Sequence, residues 1–197
     1  MALSCPIEVT GLCSAARAQF NLPSPLPVLA TPELYGGKLV AALDRQHPRD
    51  LFDVDAIHQQ SGLTSHAIDC FVGYLAGHNR PVHEVLFSRD KDITEAFAGE
   101  FHGMTRTPTT LARLQETRTR LRTELSALLT NAHKRFLLSF VATKPKWELM
   151  PFVHLQHLPA IRWKLLNLEK LKKTNAAKFR QQYENLERLF DQRDKSD

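Results

Sequence analysis

Long apolar runs are missing from this chain. None of its 197 residues lies in a stretch near the roughly 18 to 20 apolar residues that a bilayer-spanning helix needs. The first residues, MALSCPIEV, lack a basic segment followed by an apolar core, so no secretory signal is expected and a cytoplasmic location follows. Cysteine is scarce: Cys5, Cys13 and Cys70 are odd in number and scattered, which fits neither a disulfide framework nor a CxxC-type zinc site. They are expected to be reduced and structural. Internal repeats and low-complexity tracts are also missing. What is present, 43% hydrophobic and 24% charged residues, is the composition of a soluble globular chain.

Charge is unevenly divided. Residues 1–105 hold 7 basic and 12 acidic residues, a balance of −5, while residues 106–197 hold 19 basic and 9 acidic residues, a balance of +10. A basic rear suits polyanions, or is simply a solvated helical surface, and an acidic front suits a cation or a basic partner.

The first thirty residues read as β or irregular structure, with PIEV as a short strand and NLPSPLPVLA as an extended, proline-punctuated approach. Thr31 as N-cap, with Pro32 and Glu33 behind it, starts a helix to about Arg45. His47-Pro48 interrupts it, and a second helix runs from Pro48 to the Ser61-Gly62 stop. Thr64–Ala76 forms a third, and Ile93–His102 a further one. From Thr109 onward the pattern is helical: Leu111, Leu114, Leu121, Leu125, Leu128 and Leu129 recur at amphipathic spacing with arginines between them. Ala132–Val141, a helix opened by Leu158-Pro159, and Ala176–Asp191 complete the chain. Trp147, Trp163, Phe136 and Phe140 are expected core anchors, and His154 with His157 an unremarkable loop pair.

Chemistry concentrates between Tyr35 and Asp53, YGGKLVAALDRQHPRDLFD. In a helix, Lys38, Ala41, Ala42 and Arg45 share one face beside the apolar stripe of Tyr35, Leu39 and Leu43. Two cations beside small alanines leave room for a large anion, and Gly36-Gly37 would admit a ligand or another backbone. Arg49, Asp50 and Asp53 follow in the first turns of the next helix. Cations facing a carboxylate pair can grip a triphosphate and tune a proton acceptor or metal ligand. Helix-dipole complementarity and structural ion pairs would explain the same residues.

The segment PELYGGKLVAALDRQHPRDLFDVDAI resembles the second motif block of the AbiEii/AbiGii nucleotidyltransferase toxins, in which a GK-containing helix, a short basic turn and an RD-L-[FY]-D helix follow in order. RFLLSF and LPAIRWKLLNLEKL resemble that family's C-terminal helices, so the likeness runs from about residue 5 through most of the chain. The resemblance implies an α+β, mainly α fold: part of a DNA polymerase β-like nucleotidyltransferase core in residues 1–62, then a helical C-terminal domain in residues 63–197. It also implies a Mg²⁺-dependent toxin of toxin–antitoxin or phage abortive-infection systems that transfers a nucleoside monophosphate from an NTP to an acceptor such as tRNA, with a cognate antitoxin as partner and no membrane. By motif position, Lys38, Arg45 and Arg49 would bind the nucleotide, Asp50, Lys38 and Asp53 would serve catalysis, and Glu8 would match a strand carboxylate that holds metal.

The chain also departs from that pattern. The family's metal-binding Asp-x-Asp strand belongs upstream of Glu8, where no room remains, so an N-terminally truncated chain, inactive in isolation, is the expectation. Asp53-Val54-Asp55 is no substitute, since residues i and i+2 of a helix point about 200° apart. Arg113, Arg118, Arg120 and Arg122, with Lys170, Lys172 and Lys173, form the best candidate nucleic-acid surface, through phosphate contacts without base readout. The alternative is a non-catalytic helical remnant that binds RNA or a protein through this basic half.

Overall fold

The computed structural model describes residues 5–20 and 25–194. A two-stranded antiparallel sheet, β1 (Glu8–Thr10) with β2 (Leu26–Val28), sets Glu8 opposite Val28 and is exposed along its length. Between the strands lies a helix, α1 (Ser14–Gln19), which corrects the expectation of β or irregular structure for the first thirty residues. Its sequence, SAARAQ, contains strong helix formers and no breaker. Residues 21–24, in the proline-punctuated approach, lie outside the described residues.

The helical body begins with α2 (Thr31–Asp44), whose cap is Ala30 in an extended conformation; Thr31, the expected cap, is already helical, with Pro32 in the first turn. Helix α3 (Pro48–Gln60) follows at once, and the His47 ring accepts from the Arg49 N–H at its start. The joint is Gln46, at φ 54°, a left-handed position that turns the chain between the two helices without a glycine. Thr64 caps α4 (Ser65–Ala76), and the short helices α5 (Val82–Leu86) and α6 (Thr94–Ala96) come next, α6 continuing as a π turn over Phe97–Phe101. Thr110 caps α7 (Leu111–Leu128). Thr130 and His133 form a reciprocal capping box on α8 (Asn131–Val141). The hairpin of α9 (Pro159–Thr174) and α10 (Ala176–Asp194) closes the body.

α2 packs on α4 so closely that a Cβ at Gly36 would lie 2.7 Å from both Cys70 Cβ and the Phe71 nitrogen. α3 packs against α2 and α7. One core cluster spans the body and includes Leu39, Leu43, Leu51, Phe71, Leu121 and Phe136. Trp147 anchors it as expected, with ring centroids 5.9 Å from Phe136 and 6.4 Å from Phe140. Trp163 does not: it is 63% exposed, because α9 turns Ile161, Lys164 and Leu168 inward and leaves position 163 outside. No helix among the described residues is long and apolar enough to cross a membrane.

Candidate functional site

The antiparallel α2–α3 pair carries three polar links along its seam. Tyr35 Oη donates to Gln60 Oε1 at 3.2 Å, Lys38 Nζ meets Asp53 Oδ2 at 2.5 Å, and Arg45 donates twice to Asp50, Nε to Oδ2 at 3.0 Å and Nη2 to Oδ1 at 2.6 Å. The Lys38 and Arg45 side chains remain 36% and 64% exposed, so both cations are held from behind by carboxylates and reachable from solvent. Asp50 is buried, and with both oxygens accepting from Arg45 it orients the guanidinium. Arg49 is exposed, and its backbone N–H is spent on the His47 ring.

Gln46 fixes this hairpin. It is 1% exposed; its Nε2 donates to the Arg89 carbonyl at 2.8 Å and to Ser88 Oγ at 3.2 Å, and its Oε1 accepts from the Lys91 N–H at 3.0 Å and from Arg118 Nη1 at 3.2 Å. Lys91 Nζ in turn donates to the Asp44 and Arg45 carbonyls at the C-terminal end of α2, where a cation also complements the helix dipole. No local motif marks Gln46, because its role depends on a segment over forty residues away.

Beside the seam, a cavity of about 460 Å³ lies between α2, α4 and α9, within the size range of small-molecule sites. Gly37, Ala41 and Arg45 form its α2 wall, with Tyr74, His78 and Ala160 among the facing residues. The small residues of α2 thus open space as the sequence suggests, although Ala42 is buried in the core. Burial lowers the His78 pKa despite the nearby Asp44 carboxylate, whose Oδ2 is 3.4 Å away, so the imidazole is neutral near pH 7. Burial, and then the charge of Glu33, push the Tyr74 hydroxyl up to about 12, so it stays protonated and donates to Glu33 at 3.4 Å.

The candidate carboxylates do not converge on a cation. Asp53 faces Lys38, whereas Asp55 turns to α7, where Oδ1 accepts from Arg113 Nε at 3.0 Å and Nη2 at 2.7 Å, and Oδ2 from Gln59 at 2.8 Å. Glu8 is exposed on the β1–β2 sheet. The chain holds a second Asp-x-Asp, Asp90-Lys91-Asp92. It does not serve either: Asp90 pairs with Arg122 at 3.1 Å and Arg118 at 3.6 Å, while Asp92 accepts from the N–H and hydroxyl of Thr94. These candidate carboxylates therefore do not fit the two-carboxylate Mg²⁺ site that the resemblance implies.

The four arginines of α7 do not form one outward face. Arg113 is tied to Asp55; Arg118 is buried and donates to the Lys91 carbonyl at 2.7 Å; Arg122 donates to the Ser88 carbonyl at 2.5 Å. Arg120 is the exposed member, paired along its own helix with Glu124. Leucine spacing marks the buried stripe of α7, but not that Arg118 and Arg122 beside it are drawn inward by the Lys91 and Ser88 carbonyls. Lys170, Lys172 and Lys173 are exposed at the end of α9.

No curated protein and no solved structure matches the chain. A family model does, that of the nucleotidyl transferase AbiEii toxin of type IV toxin–antitoxin systems, over residues 3–167, a span that contains the α2–α3 pair, the cavity and the first part of α9. The order of GGK helix, turn and RDLFD helix that suggested this family is the stretch folded into the α2–α3 seam, and the chain belongs to the AbiEii nucleotidyltransferase toxin family.

Proposed function

We propose that the protein works as the toxin of a type IV toxin–antitoxin pair, transferring a nucleoside monophosphate from an NTP to an acceptor, with tRNA as the acceptor class. The observation that carries this reading is the α2–α3 seam, where two solvent-reachable cations are braced by buried or half-buried carboxylates, Arg45 standing at the rim of the cavity. Lys38 and Arg45 grip the triphosphate, Asp53 and Asp50 hold them in position, and exposed Arg49 adds a third cation. Preorganised cations of this kind stabilise the charge of a transferring phosphoryl group without reorganising during the reaction. Residues 1–62 then represent part of a polymerase β-like core and residues 63–197 a helical domain, packed through one continuous core. The exposed Arg120, Lys170, Lys172 and Lys173 supply phosphate contacts to the acceptor. NTPs and tRNA place this work in the cytoplasm. The Mg²⁺ that such transfer uses requires a carboxylate pair in addition to those on α3, which are already committed to cations.

The test is equilibrium binding of each of the four NTPs to the purified chain. Lys38→Ala and Arg45→Ala are expected to weaken binding about tenfold or more each, the size of a lost charge-assisted contact of roughly 1.5–3 kcal/mol. Unchanged affinity in both variants, with folding verified by circular dichroism, would remove the seam from the nucleotide site. In parallel, labelled NTPs, Mg²⁺ and total tRNA test transfer; Mg²⁺-dependent label in tRNA would carry the reading and show that the described carboxylates regroup around metal, and nucleotide binding without any label would overturn the transferase reading and leave a nucleotide-holding site.

A further inference from the structure

Helix α4 presents His66 and Cys70 at i and i+4, on one face, and that face meets Cys5 from the far end of the chain. Cys5 Sγ lies 3.3 Å from His66 Nε2, and one ligand atom from each of Cys5, His66 and Cys70 lies within 4.8 Å of the others. A tetrahedral zinc ion with Zn–S of about 2.3 Å and Zn–N of about 2.0 Å requires an S-to-N edge of about 3.5 Å and an S-to-S edge of about 3.8 Å. The 3.3 Å S-to-N separation is close to the first, and the 4.8 Å bound on the remaining pairs leaves side-chain adjustments of roughly 1 Å to meet both. We propose that Cys5, His66 and Cys70 bind one thiophilic divalent cation of the zinc class, clamping the segment before β1 onto α4.

The surroundings suit such an ion. Both cysteines are buried and His66 is exposed, which gives the site a solvent-facing side for entry and for a fourth ligand. Soft thiolates with an imidazole select zinc-type ions over Mg²⁺ or Ca²⁺. On binding, each thiol releases its proton to solvent, and two thiolates with a neutral imidazole balance the doubly charged ion. Glu33, fully buried, accepts from the Cys5 N–H at 3.5 Å through Oε2 and from Tyr74 Oη through Oε1, and so holds the Cys5 backbone beside the site. Gly36 makes this closeness possible, since no larger residue would let α2 approach Cys70. The site is chemically separate from the α2–α3 seam and does not depend on the nucleotide reading.

The probes are Co²⁺ and Zn²⁺ added to the reduced, metal-free full chain. Expected are one Co²⁺ per chain with thiolate-to-cobalt charge-transfer absorption, displaced by Zn²⁺, and a rise in Tm with Zn²⁺. Cys5→Ser and His66→Ala are expected to lose the absorption and the Tm rise, whereas Cys13→Ser keeps both. His66 is exposed, so H66A tests the ligand without emptying the core, and its circular dichroism should match the parent. Absence of thiolate absorption in the parent, or its full retention in H66A, would overturn the proposal and leave a thiol–imidazole hydrogen bond in its place.

Discussion

Gly36 and Gly37 are neighbours in one helix and should respond to the same substitution with opposite signs. Replacing either by alanine gains about 1 kcal/mol of helix propensity in the interior of α2. At Gly37 the new Cβ would rest 3.8 Å from the Tyr74 ring, an ordinary contact, so G37A is expected to stabilise by about 0.5–1 kcal/mol. At Gly36 the new Cβ would lie 2.7 Å from Cys70 Cβ and the Phe71 nitrogen and 2.8 Å from the Cys70 carbonyl carbon. Two of these are backbone atoms that no rotamer change can move. The helices must separate, and overpacking costs of roughly 1–3 kcal/mol should reach their upper end in so tight a contact. Net destabilisation of about 2 kcal/mol is expected for G36A, a gap of about 3 kcal/mol between the variants. Urea unfolding followed by far-UV circular dichroism gives both values, provided the m-values agree. Equal midpoints for G36A and G37A would refute the account of α2–α4 packing.

Burial lowers the Lys164 pKa from 10.5 to about 8, while its Nζ donates to the Asn79 and Arg80 carbonyls. The folded state therefore sheds this proton first: the penalty is complete below pH 8, and stability should rise between about pH 8 and 10.5, by at most on the order of 3 kcal/mol. Tyr74, with its pKa raised to about 12, removes stability only above about pH 10, so the pH 8–10 interval isolates the lysine. Urea midpoints of Lys164→Met should lack this upward slope, and parallel slopes in parent and variant would count against it. Arg118→Ala should destabilise by about 3 kcal/mol, because buried Gln46 and the Lys91 carbonyl lose a charged donor, whereas Arg120→Ala should stay within about 0.5 kcal/mol. Thermal unfolding of the pair distinguishes them, and similar losses would contradict the inward placement of Arg118.

Much of the helical body was legible because its signals are local. Pro48 and Gly62 bracket α3, the expected starts at Thr64 and Thr109 fall within two residues of α4 and α7, and the leucine spacing of α7 marks its buried stripe. The Lys38, Arg45, Asp50 and Asp53 set was also visible, since residues on two consecutive helices joined by a short turn are bound to meet. What escaped depends on distant partners. α1 lies in a segment whose prolines mask it, and Trp163 has the residue type of a core anchor although its helix phase turns it outward. The destination of Arg113, Arg118 and Arg122 depends on Asp55 and on residues 88–91, and the meeting of Cys5 with His66 and Cys70 on the closeness that Gly36 allows.

Gln46 ties the α2–α3 turn, the irregular stretch at residues 88–91 and α7 together through one side chain. Irregular segments commonly exchange their amide hydrogens by local fraying. The Lys91 N–H is bonded to Gln46 Oε1, and releasing it means opening the turn and the Arg118 contact together. In hydrogen–deuterium exchange, this single loop amide is therefore expected to keep pace with the helix cores around it, a slow reporter in a part of the chain where sequence alone would place fast exchange.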